Sequence, residues 1–142
     1  MRYHELLQLY FDRSNALQAY WTLYVVVLGG LLAFSSVNKQ PSGLTTLLVS
    51  VLFCLFACKN LDAIHDTTLN RYAALQALKD YLPSPEEAPA LKAQRNLIEP
   101  TLNPATYSSV VSTHVSSDVL TVVTLWALEL RRRKYTANAA AI

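Results

Sequence analysis

His114 and Asp118 stand four residues apart, so on a helix they share a face, and Thr121 extends that face by a turn. An imidazole beside a carboxylate can relay a proton or form one edge of a metal site. Two ligands fall short of the coordination a metal centre needs, and no metal or cofactor is expected. The pair lies in a largely apolar stretch, Tyr107 to Leu130. Ionisable groups inside a membrane are costly enough to raise a functional suspicion by default. The plainer account is that the pair, near the start of that stretch, sits solvated at the membrane interface.

The remaining chemistry is thin. Cys54 and Cys58 share a helix face, but spacing within one helix gives poor disulfide geometry. They read as small apolar membrane residues. His65 and Asp66 are neighbours that point in different directions on a helix, and nothing is assigned to them. Glu129 adjoins Arg131, Arg132, Arg133 and Lys134. The acid reads as local charge compensation, and the basic cluster as a topology determinant or a contact for anionic lipid headgroups. Three glycines leave no Gly-rich phosphate loop. No HExxH, CxxC or nucleophile elbow occurs. The expectation is a protein that is not an enzyme.

These residues are carried by a chain of unusual composition. Of 142 residues, 52% are hydrophobic and 15% charged, where a soluble domain has about 25% charged residues. Mean hydropathy is +0.21. A net charge of +2 is too small for a nucleic-acid binder. The class indicated is all-α and membrane-embedded.

Two stretches carry no charge, Ser14–Asn38 and Gln40–Cys58. A bilayer core requires about 20 apolar residues in helix. The first is long enough, and the second reaches that length with its flanks. Residues 20–37 and 43–58 are read as transmembrane helices joined by a short polar link with the turn signal Pro41, Ser42, Gly43. They form an antiparallel hairpin. Tyr20, Trp21 and Tyr24 read as an interfacial aromatic belt. The acidic residues Glu5 and Asp12 ahead of the first run argue for a retained segment, not a cleaved signal. Residues 107–130 are a probable third transmembrane helix. Its polar face holds His114, Ser117, Asp118, Thr121 and Thr124, and its apolar face Val115, Val119, Val122, Trp126 and Leu130.

Both hairpin helices run on beyond the membrane. A juxtamembrane helix, 1–19, carries the seam Leu6, Tyr10, Arg13, Leu17, Tyr20, Tyr24. A helical extension, 59–82, carries the stripe Leu61, Ile64, Thr68, Tyr72, Leu75, Leu78, Leu82 and ends at Pro83. Such stripes pack on each other or on copies of the chain. A Pro-rich linker, 83–106, holds one short helix over 90–98, and a basic C-terminal tail spans 131–142. Gly29 and Ala33 form a small-xxx-small pair that lets helices approach closely. With Ile64, Tyr72 and Leu75 they are the candidate helix-packing residues.

Counting basic residues leaves orientation open: Arg2, Arg13, Lys59 and Arg71 flank one face, Lys39 and the 131–134 cluster the other if the third helix crosses. A third helix that does not cross would put every basic group but Lys39 on the cytoplasmic side. The functional expectation is a multi-pass protein of the plasma or inner membrane. Its partners are the lipid bilayer and either its own copies or another membrane protein, with no nucleic acid. It would act as a helix-mediated oligomer or accessory scaffold. The alternative is an oligomeric channel lined by the polar face of the third helix.

Overall fold

The computed structural model describes residues 2–139, and these form four α-helices, one short 3-10 turn and no strand. Helix α1 is Tyr3–Val37, α2 is Gly43–Lys79, α3 is Ala88–Ile98 and α4 is Tyr107–Ala139, with the 3-10 turn Glu99–Thr101 following α3. The three long helices form the body, with α4 parallel to α1 and antiparallel to α2.

The axial register is set by a cluster in which Leu17 of α1, Ile64 of α2 and Val110 of α4 meet. From that level α1 continues to Val37, α2 runs back to Gly43, and α4 proceeds to Glu129. At 1.5 Å per residue each stretch is about 30 Å, the thickness of a hydrocarbon core. Each of the three helices is long and apolar enough to cross a membrane. On the other side of Leu17, α1 and α2 project together.

Helix α2 is anchored at both ends by charged residues distant in sequence. Its N-cap is Ser42, whose hydroxyl accepts from the Thr45 amide, a preferred arrangement for unpaired first-turn donors. The Ser42 amide in turn donates to Glu129 Oε2 at 3.2 Å. At the other end Arg95 of α3 donates to the carbonyls of Leu78, Lys79 and Tyr81 at 2.9, 2.7 and 3.1 Å. An anion at the N-terminus and a cation at the C-terminus both complement the helix dipole.

Several boundaries differ from the sequence expectation. Helix α2 ends at Lys79, before Leu82, which is 89% exposed and leaves the stripe. Pro83 biases the residue before it away from helix, and Arg95 occupies the freed carbonyls. Helix α4 does not stop at Leu130 but continues through Ala139, so Arg131 to Lys134 are helical and not part of a tail. Residues 140–142 of that expected tail, and residue 1, lie outside the described residues. In the α1 seam, Leu6, Tyr10, Leu17 and Tyr24 are buried, whereas Arg13 is exposed. Ser14 turns inward beside it and bonds the Tyr10 carbonyl at 2.9 Å.

Candidate functional site

The inner positions of the 30 Å bundle are rich in polar groups. Ser35, Thr46, Ser50, Asn60, His114, Thr121 and Glu129 are all buried. The outer positions are Leu23, Val25, Val26, Leu47, Leu52, Leu55, Val119 and Leu120, each about half exposed or more. On α4, His114, Thr121 and Glu129 thus face inward together with Leu125 and Val122, whereas Val115, Val119 and Leu120 lie outward beside Thr113, Ser116 and Thr124.

Four side chains make the central network. His114 has no exposed surface and lies about 6 Å past the Leu17 level at helical rise. Its Nδ1 is 2.9 Å from Asp118 Oδ2, one turn on. Its Nε2 is 3.2 Å from Asn60 Nδ2 on α2. The Tyr24 hydroxyl of α1 donates to Asp118 Oδ1 at 2.8 Å. With the proton on Nδ1, the ring can donate to Asp118 and accept from Asn60. Both ring nitrogens of His114, both carboxylate oxygens of Asp118 and the Tyr24 hydroxyl then have partners, which lowers the cost of burying such groups. The ring of Tyr24 lies on that of His114 with centroids 4.3 Å apart, and Trp21 closes the side at 5.7 Å. Thr121 is buried but bonds the Ser117 carbonyl of its own helix at 2.7 Å, so it stands beside the network.

A second network closes the far end. Glu129 is fully buried. Its carboxylate meets Arg133 Nε at 2.9 Å, Arg132 Nη1 at 3.8 Å and the Ser42 amide at 3.2 Å, with the Thr46 hydroxyl at 3.4 Å. Any side chain at Gly43 would collide with the Arg133 guanidinium. A substitution there would have to displace the half-exposed Arg133 side chain from its place beside Glu129.

Sequence reasoning placed Tyr24 in an aromatic belt at the membrane surface. In the fold it is 2% exposed and inside the bundle, because Asp118 offers its hydroxyl an acceptor there. Asn60 and Thr46 were not singled out, and Ser42 was read only as part of a turn. Asn60 had a legible signal: it continues the Phe53, Ala57, Ile64 stripe at helical spacing as its one polar member. Ile64 and Leu75 are buried within the chain, against Leu17 and Val110 and against the Tyr3, Leu6, Tyr10 group respectively. Tyr72 is half-buried and donates to the Ala105 carbonyl at 2.6 Å, tying the linker down. Gly29 and Ala33 face outward, and no atom outside its own helix backbone would come within 4 Å of a Cβ at Gly29. Arg131, Arg133 and Lys134 are exposed and Arg132 half-buried.

Both ring nitrogens of the buried His114 are engaged within the chain. Among the described residues, no three His, Cys, Asp or Glu side chains gather as a metal site. Cys54 and Cys58 are free thiols on the outer surface. The networks join helices: one links all three across Tyr24, Asn60 and Asp118, and the other links α2 to α4. Comparison with known proteins finds no matching family model, no matching curated protein and no matching solved structure.

Proposed function

We propose that this chain is a small, non-enzymatic membrane protein whose α1, α2 and α4 each cross the bilayer, and that it works by helix association, as a homo-oligomer or an accessory subunit. The observation that carries the reading is the exposed surface of the bundle, rich in leucine and valine, around an interior that mixes apolar residues such as Phe53 and Leu125 with hydrogen-bonded polar groups such as His114 and Glu129. Water would penalise that surface, and hydrocarbon would not. The common length of about 30 Å supports three crossings, with the Pro-rich linker and the chain's C-terminal end on opposite sides. Association is supported by the outer face of α1, where Gly29, Gly30 and Ala33 leave a shallow surface for close helix approach.

The channel alternative would need His114, Asp118 and Thr121 turned toward a lumen. They face α1 and α2 and are bonded within one chain, which favours the association reading.

Two measurements test the proposal. Ser84→Cys and Asn138→Cys, in a chain with Cys54 and Cys58 replaced, should differ in labelling by an impermeant thiol reagent in intact cells. Equal labelling of both sites refutes the third crossing. Gly29→Leu with Ala33→Leu should convert a defined oligomer in lipid nanodiscs or vesicles to a smaller species by single-molecule photobleaching. Unchanged stoichiometry refutes this face as the contact. Ile64 and Leu75 are unsuitable probes, since changing them disrupts the fold of the single chain.

A further inference from the structure

We infer that the seam between α1 and α4 is a binding site for one anionic phospholipid, with its phosphate held by Lys39, Arg131 and Arg132 and an acyl chain lying along Leu28, Leu32 and Leu120. The seam holds two cavities stacked along the helices. The first, of about 380 Å³, is lined by Ser35, Asn38, Lys39, Arg131, Arg132 and Tyr135 among others, and by no acid. The second, of about 220 Å³, is lined by Leu28, Leu32 and Leu120 and by Ser117, Thr121 and Thr124, whose hydroxyls are turned onto carbonyls of their own helix. Leu32 is one turn before Ser35 and Ser36, and Thr124 is one turn before Leu128, so the two cavities abut on both helices. The basic one lies at the end of the apolar bundle and the apolar one within it. A phospholipid has the same order of parts.

The charges are arranged for an anion. At this end of the molecule stand five cations, Lys39, Arg131, Arg132, Arg133 and Lys134, against one acid, Glu129. Glu129 is already shared by Arg132 and Arg133. Among the described residues Lys39 and Arg131 have no acid partner. Arg132 is pre-set by its Nε bond to the Leu128 carbonyl at 3.2 Å, and Arg131 by the Tyr135 ring 5.5 Å away. Guanidinium groups hold phosphate by paired donors, and a lysine adds a point charge. The serine and asparagine side chains supply neutral polar contacts. A free phosphate would use only the upper cavity, whereas a lipid uses both.

This inference rests on the membrane reading above, and the experiment separates the two. The full chain is first reconstituted with phosphatidylcholine vesicles containing phosphatidylglycerol and floated on a density gradient. A protein that fails to float refutes the membrane reading itself. For the floating protein, bound lipid is counted by native mass spectrometry after mild detergent extraction. Retention of one phosphatidylglycerol in preference to phosphatidylcholine is expected. Each basic group near an anionic headgroup is worth roughly a fivefold change in affinity, so Lys39→Gln with Arg131→Gln should weaken retention by about thirtyfold. Lys134→Gln removes an adjacent charge outside the cavity and should change it little. Leu120→Trp fills the lower cavity with every charge intact and should also release the lipid. Equal losses in Lys134→Gln and in the double variant would mean diffuse attraction and overturn the site. Full displacement by millimolar inorganic phosphate, with Leu120→Trp silent, would mean a free-anion site and overturn the lipid.

Discussion

The two halves of this molecule differ in what they bury and what they expose. Beyond Leu17, the projecting ends of α1 and α2 enclose Tyr3, Leu6, Tyr10, Ala74, Leu75 and Leu78, with Leu91 and Leu102 brought in from the linker. The exposed positions there include Asp12, Arg13, Gln76, Lys79 and Asp80. That is the arrangement of a water-soluble core. On the other side of Leu17 the same two helices, joined by α4, place Asn60, His114 and Glu129 inside and Leu52, Leu55 and Leu120 outside. One continuous helix therefore changes the character of its exposed surface along its length. In the first half, removal of apolar area from water holds the helices together. In the second, under the membrane reading proposed above, neighbouring lipid would be as apolar as leucine, and hydrogen bonds and close packing would be what remain.

Substitutions that treat the halves alike should give unequal results. The largest effect is expected from Leu78→Ala, which opens a cavity in the fully buried centre of the projecting half and should cost about 2–5 kcal/mol. Thermal unfolding followed by circular dichroism checks it, and a loss below 1 kcal/mol would mean that this half lacks a conventional core. Next come two lysines at exposed sites of one helix. Leu52→Lys should cost roughly 3 kcal/mol in membrane insertion, whereas Ala77→Lys should fall within about 0.5 kcal/mol of wild type. The fraction resisting alkaline extraction reads the difference, and equal fractions would erase the division at Leu17.

A smaller effect is expected from breaking the central network. His114→Ala leaves Asn60 and Asp118 each short of a partner, yet interhelical hydrogen bonds in membranes are worth only about 0.6–1.7 kcal/mol. Reversible unfolding in mixed micelles should therefore show a loss of about 1–2 kcal/mol. A loss matching that of Leu78→Ala would mean the polar network, not packing, dominates the bundle. The smallest effect concerns the free end of α1. Glu5 accepts from the Arg2 amide at 2.9 Å and pairs with its side chain, and these bonds hold its carboxyl below the usual carboxylate range. A lowered value means the bonds stabilise the first turn above the ordinary carboxylate pKa and are lost as pH falls through the folded value. Hydrogen exchange of the first-turn amides should accelerate under acid, relative to the general trend, in wild type but not in Glu5→Gln.

Much of this was legible from spacing. The charge-free runs mark two of the three helices that are long and apolar enough to cross a membrane. The Leu6, Tyr10, Leu17 seam and the Ile64, Leu75, Leu78 stripe announce that α1 and α2 pack beyond it, because period 3.6 puts those residues on one side. The His114, Asp118 pair was equally visible as one face of α4. Its partners were not. Tyr24 has the composition of a surface-belt residue, and only the register of α1 against α4 brings it 2.8 Å from Asp118. Arg95 looks like one more charge in a mixed linker until the chain reverses and sets it on the last carbonyls of α2.

The sequence by itself determined the element order, the all-helical class and which lengths suit a bilayer. These follow from local hydropathy and periodicity, which need no knowledge of neighbours. Only the tertiary structure decided which way each face turns. An amphipathic helix has the same pattern whether its polar side meets water or the inside of a bundle. For α4 the choice was made by Tyr24, Asn60 and Ser42, which lie on other helices and offer partners to His114, Asp118 and Glu129. Pairing across helices depends on register and depth, and no local spacing encodes either.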